Sequence, residues 1–491
     1  MALEIALDGR AVHDDLRYHG GHPRFAAGSQ EVYFFGIHAR TNYFFGQIFL
    51  EGEKMGVTNI WHVLNLRTTP FFQDALAPNE ESEHPLSLFV GRKQELQDIL
   101  AEIGSATNTR VAIQGPPGVG KTTLANAIKA EAGEDGYLVD STPISITSAA
   151  TAADLRLMIL LSAHDAIVAR DPSLVEEGAL RAVRHLVDVE QWRAWSVSAS
   201  LPGVGGAGFG AAPQRHTGPG AMAVKPERLL RELSDIATNK LNAPGVLIHL
   251  NNLENASEAD QRQAARVVRD LRDTGLTYEG FHYLLAGTDE AIRTIVTAQE
   301  QLRSIFFNAG SLAPLTVSEF HDLLEERYRH LRLFDNRPWI PPVEPAAVHS
   351  LYRIFEGNLR GTLHALNTAA MRLIGRGTEP TSPMSMERMA PVLQGIYRAK
   401  LATDLTPAEA DHLHQMVDPA KPDAPLNQKD ARTRLGLRAP AVSELFASLR
   451  SKGYLVETTS LATGQPGRPI QRYTLTGMAR LALGSGIAHT E

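Results

Sequence analysis

Cysteine is absent from all 491 residues, which removes disulfides, thiolate catalysis and cysteine-ligated zinc from the chemistry open to the chain. Long apolar runs are missing too. No window approaches the roughly 18 apolar residues that span a bilayer, and Met1 to His13 lacks a basic region followed by an apolar core. The sequence therefore reads as a soluble cytoplasmic protein with no membrane partner. A strong net charge is also lacking: the formal total is -7, which argues against a surface coated throughout for nucleic acid. What is present is apolar bulk, 43% of residues, enough for several cores, and the length suggests roughly three domains.

The most informative stretch is Gln114-Gly115-Pro116-Pro117-Gly118-Val119-Gly120-Lys121-Thr122-Thr123, which fits the G-x-x-x-x-G-K-[ST] phosphate-binding loop. Val111 to Ile113 before it reads as a buried strand, and Leu124 to Ile128 after it opens a helix, the context that the motif requires. Gly115, Gly118 and Gly120 let successive backbone N–H groups face one anion at the positive end of the helix. Lys121 adds a point charge for the β- and γ-phosphates, and the Thr122 hydroxyl suits Mg²⁺. Pro116, Val119 and Thr123 complete the loop, with Thr123 capping or packing. ATP with Mg²⁺ is the expected ligand.

From Leu86 onward the pattern alternates strands and helices, the signature of an α/β fold with a parallel sheet. Further strands are expected at Tyr137 to Val139, Val246 to Leu250 and His282 to Ala286. A helical insertion is expected over Ala152 to Gln191, followed by a glycine-rich loop from Ser196 to Met222, where glycine disfavours helix by about 1 kcal/mol per residue. After Gly310 the chain turns helical: Ser318 to Leu331, Ala346 to Phe355, Leu359 to Ile374 and Met384 to Lys400. Upstream, Tyr33-Phe34-Phe35-Gly36 and Tyr43-Phe44-Phe45-Gly46 suit two strands of a hairpin. They form a small aromatic core or, together with Pro70-Phe71-Phe72, a surface for a protein partner. Ala77 to Pro85 reads as a linker.

Phe89-Val90-Gly91-Arg92-Lys93-Gln94-Glu95-Leu96 before the phosphate loop and Gly357-Asn358-Leu359-Arg360 at a helix start together resemble the initiator-type AAA+ ATPases, the origin-recognition proteins, and their neighbours the STAND signalling ATPases. The resemblance covers roughly residues 86 to 400. It implies that Phe89, Val90 and Gly91 line the base pocket and that Arg360 reaches the γ-phosphate from a helical lid. It also implies that Thr288 orients the attacking water, while Asp289 is at least as good a cap for the following helix. Arg303 reads as a solvated charge more readily than as an arginine reaching into a neighbouring subunit.

One departure concerns the strand Val246-Leu247-Ile248-His249-Leu250. The family pattern ends it in two carboxylates, one serving Mg²⁺ and one polarising water. Here Asn251 and Asn252 follow. An amide holds a water but is no base, so catalysis would fall to Glu254, with Asn251 assisting, or the protein would bind ATP and hold it. His249, internal to the strand, reads as a packed neutral histidine.

The C-terminal end carries a local charge excess. Between Asn427 and Arg480 there are nine Lys/Arg residues against Asp430, Glu444 and Glu457. Thr406 to Gly484 follows the order helix, helix, helix, two strands, and Ala441 to Leu455 resembles the recognition helix of winged-helix domains. Gly467-Arg468-Pro469 with Tyr473-Thr474-Leu475-Thr476 resembles the wing of bacterial winged-helix regulators. Arg468 would suit a minor groove or phosphate, Arg438, Ser443 and Arg450 the major groove, with Lys452 and Arg472 adding charge for duplex DNA. A protein-protein role for the same module stays open.

The expected organisation is thus an aromatic-rich α+β module over 1–85, an AAA+ P-loop base over 86–312, a helical lid over 313–402 and a winged helix-turn-helix over 403–491. The expected protein is an ATP-binding switch on DNA, acting as a homo-oligomer. The alternatives are a STAND-like signalling ATPase that recruits a protein through its N-terminal module, or an ATP-liganded transcriptional regulator.

Overall fold

The computed structural model describes residues 59–78, 81–147, 149–186, 225–253, 258–374, 382–417, 424–459 and 471–484. The aromatic echo at 33–46, the glycine-rich stretch at 196–222, Glu254 and the expected wing residues 467–469 lie outside them. The chain divides between Asn59 and Ile60, and every described helix and strand belongs to the unit that begins at Ile60.

Helix α1 (Lys93–Gly104) precedes strand β1 (Thr109–Gln114), the loop and helix α2 (Lys121–Glu134). Short strands β2 (Leu138–Val139) and β3 (Ile144–Ser145) lead to α3 (Ala152–Arg170), which Thr151 and Asp154 start with a reciprocal capping box. Helix α4 (Pro226–Asp235), β4 (Val246–Leu253), α5 (Glu258–Leu271), β5 (Phe281–Gly287) and β6 (Phe307–Ser311) complete the base.

The sheet is parallel, in the order β2-β4-β5-β1-β6, with β3 also on β4. Successive side chains of a strand point to opposite faces, and two cores result from that alternation. Val111 and Ile113 of β1, with Leu247 and Leu284, face α1 and α2. Ala112, Val246, Ile248, Leu250, Tyr283 and Leu285 face α3, α4 and α5. With both faces covered, the strands read as apolar runs, which is why β1, β4 and β5 were evident in the sequence. Strand β6, Phe-Asn-Ala-Gly-Ser at the sheet edge, and the two-residue β3 were not expected.

The helical region comprises α7 (Val317–His330), α8 (Pro345–Ile354), α9 (Leu359–Leu373) and α10 (Met386–Asp404), after the short α6 (Asp289–Ile292) of the base. Next come α11 (Pro407–Met416), α12 (Gln428–Leu435) and α13 (Ala439–Ser451). The antiparallel pair β7 (Leu455–Thr459) and β8 (Gln471–Leu475) and the last helix α14 (Gly477–Leu483) close the described chain.

Two differences from expectation concern packing. Residues 60–88 do not stand apart from the lid: Trp61, Leu64, Leu66, Phe71 and Phe72 share one core with Phe320, Leu324 and Tyr328 of α7. Phe71 and Phe72 are buried, 1% and 5% exposed, so they are not an aromatic partner surface. The same core runs on without a break through Leu393, Tyr397 and Leu401 of α10 to Val442, Phe446 and Leu449 of α13. The lid and the C-terminal elements are one apolar body.

Candidate nucleotide-binding site

Backbone geometry builds the phosphate loop. Gly118 and Gly120 hold φ of 77° and 100°, the left-handed region where a side chain is strained, and Gly120 stands directly before the first residue of α2. Lys121 is 2% exposed and its Nζ donates to the carbonyls of Gly115 (3.0 Å) and Pro116 (2.9 Å). The ammonium thus sits folded over the loop at the positive end of a 14-residue helix.

One cleft gathers most of the residues expected to bind nucleotide, Gly91, Gly115 and Pro116 excepted. It is lined from the loop by Gly118, Val119, Gly120, Lys121, Thr122 and Thr123, from the upstream turn by Phe89 and Val90, and from the lid by Leu359 and Arg360. Gly91 is not among its walls; it packs instead on Leu315 and Glu319, where a Cβ would come within 3.1 Å and 2.9 Å. Gly115 likewise packs against Val119 and Leu312. Arg360 is exposed and enters the cleft from the first turn of α9. That helix is capped by Asn358, whose Oδ1 accepts from Gly361 N–H at 2.9 Å. Loop and lid meet at Gly118: a Cβ there would lie 2.5 Å from Asn358 Oδ1 and 3.0 Å from Arg360 Cβ. No residue larger than glycine fits that contact unchanged.

Three contributors were missed. Arg92, in the turn Val90-Gly91-Arg92, holds φ of 62° and is 8% exposed. Its guanidinium donates to Glu95, to the Val119 carbonyl at 3.2 Å and to the Ala313 carbonyl, so it ties the turn, the loop and the start of the lid together. Phe72 to Leu76 form another wall, fastened to α2 by Asn126 Nδ2 donating to the Leu76 carbonyl at 2.8 Å. Arg327 of α7 also lines the cleft. It donates to the carbonyls of Pro70 and Phe72 (3.0 and 2.8 Å) and lies 3.6 Å over the Phe72 ring. Burial pulls its pKa down to about 9, with Tyr328 and Asp74 opposing. An isolated arginine in a helix gives no sequence signal of this kind; only the fold brings Pro70 and Phe72 beneath it.

The expected hydrolytic residues are placed differently. Thr288 follows β5, next to the strand that feeds the loop, but its hydroxyl accepts from Ala291 N–H at 3.2 Å. It is the cap of α6, the role weighed for Asp289. Neither Thr288 nor Asn251 belongs to the cleft walls. Strand β4 carries one residue more than β5 between the pairs Leu250↔Leu285 and Leu253↔Gly287, a bulge that spans Asn251 and Asn252. The Asn251 carbonyl accepts from Ile146 N–H at 3.0 Å. Behind this end the sheet is buried. His249 is wholly buried, and desolvation, with Lys129 adding to it, lowers its pKa to about 3. Lys129 of α2 pairs with Asp140 at 2.8 Å, and Asp140 accepts from His249 N–H at 3.1 Å. Burial raises the Asp140 pKa against the pull of Lys129.

The residues present fit a nucleoside triphosphate: a left-handed glycine loop at a helix N-terminus, an ammonium held over it and an arginine of the lid on the same cleft wall. Thr122, on the cleft wall, would supply the hydroxyl to Mg²⁺. Among the described residues no group of three or more His, Asp or Glu could hold a metal ion by itself.

The C-terminal residues are partly spoken for. Arg450 pairs with Glu457 at 2.7 Å and Lys452 with Glu409 at 2.8 Å; Lys452 foremost brings the Glu409 pKa down to about 2. Both cations thus have a partner within the chain. Ser443 is exposed and donates to Gln428 Oε1 at 3.2 Å. Arg438 and Arg472 are exposed, and Arg468 lies outside the described residues.

Sheet order, phosphate loop and helical region define a parallel α/β P-loop nucleotide-binding fold. In agreement, residues 88–277 match the family described as AAA ATPase domain. No curated protein matches the chain. Among solved structures it is similar to the Aeropyrum pernix ORC1 protein in complex with DNA, at 15% identity and a TM-score of 0.40 over 82% of this chain and 92% of that one. It is also similar to a Walker-type ATPase of Pyrococcus abyssi, at 12% identity and 0.41 over 85% and 100%, and to Cdc6p of Pyrobaculum aerophilum, at 11% and 0.33 over 86% and 97%. No helix among the described residues is long and apolar enough to cross a membrane.

Proposed function

We propose that the protein is an ATP-controlled switch in which ATP, with Mg²⁺ on Thr122, draws the lid onto the phosphate loop. The observation that carries this reading is the contact at Gly118, where the loop meets Asn358 and Arg360 of the lid. A γ-phosphate held by Lys121 would give the Arg360 guanidinium a partner that ADP lacks, and a rigid fork of donors suits it. Turnover would be slow or partner-stimulated: Asn251 supplies no base, which leaves Glu254 as the remaining carboxylate.

The output we propose is association with duplex DNA through a C-terminal winged helix. The order of three helices and an antiparallel pair supports it, with Arg438, Ser443 and Arg472 exposed; Arg468 would add charge from the segment between the two strands. Assembly into homo-oligomers would accompany closure. A second reading is favoured by the pairing of Arg450 and Lys452 with carboxylates of their own chain and by the core shared with the lid. In it the C-terminal elements act as an internal clamp, and a protein partner is recruited by the N-terminal module, as in STAND-like ATPases.

ATP turnover with and without duplex DNA, in wild type, Lys121→Ala and Glu254→Gln, tests the first reading. DNA-stimulated turnover lost in both variants is expected; turnover unchanged in Glu254→Gln removes that residue from the mechanism. Duplex binding that weakens steeply with salt, and weakens further in Arg438→Ala/Arg468→Ala, supports DNA as partner. Salt-independent binding, or none, favours the internal clamp.

A further inference from the structure

The last described helix is joined to the turn that precedes Arg360. Helix α14 lies against α10 and is capped by Thr476. Its Arg480 is 4% exposed: one terminal nitrogen pairs with the Glu356 carboxylate and the other donates to the Ile354 carbonyl at 3.4 Å. Glu356 holds φ of 52°, a backbone conformation that non-glycine residues rarely adopt, and Gly357 follows at 76°. Two left-handed residues in succession make a tight turn, and it is pressed flat on the lid: a Cβ on Gly357 would lie 2.3 Å from Pro314. Asn358, Leu359 and Arg360 come next.

Phe355, at the start of the turn, reinforces the joint. Its ring is clamped between two glycines, one in each helix. A Cβ on Gly361 of α9 would lie 2.6 Å from it and a Cβ on Gly477 of α14 2.4 Å. From the C-terminal elements to the loop the contacts are therefore continuous: Arg480 to Glu356, through the left-handed turn to Asn358 and Arg360, and from these to Gly118. Both contacts flank a segment of five residues that has little freedom to move in parts.

We propose that Arg480 and Glu356 are positioning residues for Arg360, so that the seating of the last helix sets how strongly the site prefers ATP to ADP. The proposal rests on the nucleotide reading of the cleft. Neither residue touches the cleft; they act by holding the turn. By linkage the coupling is reciprocal, and ATP favours the seated helix as much as the seated helix favours ATP.

The test is the affinity of the full chain for fluorescent ATP and ADP analogues in wild type, Arg480→Ala, Arg480→Lys, Glu356→Gln and the Arg480→Ala/Glu356→Gln pair, with thermal melts confirming folding. Arg480→Ala and Glu356→Gln should each weaken the ATP analogue about fivefold while changing the ADP analogue by less than about twofold. Arg480→Lys should recover part of the preference, and the double variant should be no worse than the stronger single one. A wild-type ATP preference in folded Arg480→Ala, equal weakening of both nucleotides, or additive single effects would each overturn the coupling. A wild type that binds neither nucleotide overturns the nucleotide reading and the coupling with it; binding with unaltered preference overturns the coupling alone.

Discussion

The two ends of the nucleotide site are built to different standards. At the loop end, charge, backbone and lid converge: Lys121 over its carbonyls, Gly118 against Asn358, Arg92 fastening turn to loop. At the β4 end the strand bulges at Asn251, the strand contributes no carboxylate to the cleft wall, and the layer behind it is an uncharged histidine with a single buried ion pair. Holding a triphosphate and cleaving one are separable tasks, and among the described residues the groups suited to the first are the more completely gathered.

Removing the loop end's charge should have the largest effect. Lys121→Ala should weaken ATP and ADP binding by about two orders of magnitude, since hydrogen bonds to charged groups are worth about 1.5–3 kcal/mol each; titration with a fluorescent analogue measures it. Rebuilding the other end is the converse. Asn251→Asp/Asn252→Glu should raise Mg²⁺-dependent turnover about tenfold or more, read by phosphate release, and no gain would place the deficit in the bulge rather than in the missing carboxylates.

The buried layer behind β4 predicts a pH dependence. His249 and His282 are held neutral, with pKa values lowered to about 3 and about 4 chiefly by burial. The unfolded chain binds protons at these positions below its usual histidine pKa of about 6.5, while the folded chain does not. Stability is therefore full above about pH 6.5 and falls with pH, by about 1.4 kcal/mol per unit for each histidine until its folded pKa is reached. His249→Leu should remove one such slope, measurable by urea denaturation at neutral and mildly acid pH. The smallest effect belongs to the lid: Arg360→Ala should weaken ATP about fivefold and leave ADP within about twofold, and equal loss for both would deny it a γ-phosphate role.

How much the sequence made legible depends on how local each signal is. The loop, β1, β4, β5 and the lid helices announce themselves through a contiguous motif or an apolar run, and the helices α7 to α10 begin and end within a few residues of expectation. Strand β6 escaped because an edge strand of Asn, Ala, Gly and Ser carries no hydrophobic pattern. The wall at Phe72 to Leu76 and the role of Arg327 escaped because they depend on contacts between positions about 250 apart in sequence. The ion pairs of the C-terminal elements were illegible for the same reason: Arg450, Lys452 and Arg480 have Glu457, Glu409 and Glu356 beside them only in the fold.

The unbroken core from Trp61 through α10 to Phe446 also bears on how the chain can be cut. A boundary near residue 402, natural from the sequence, would bare Leu393, Tyr397 and Leu401, which are nearly solvent-free in the intact protein. A shortened chain ending there would be sticky and prone to aggregate, and in the full protein the lid should melt together with the C-terminal elements, in one cooperative transition rather than two.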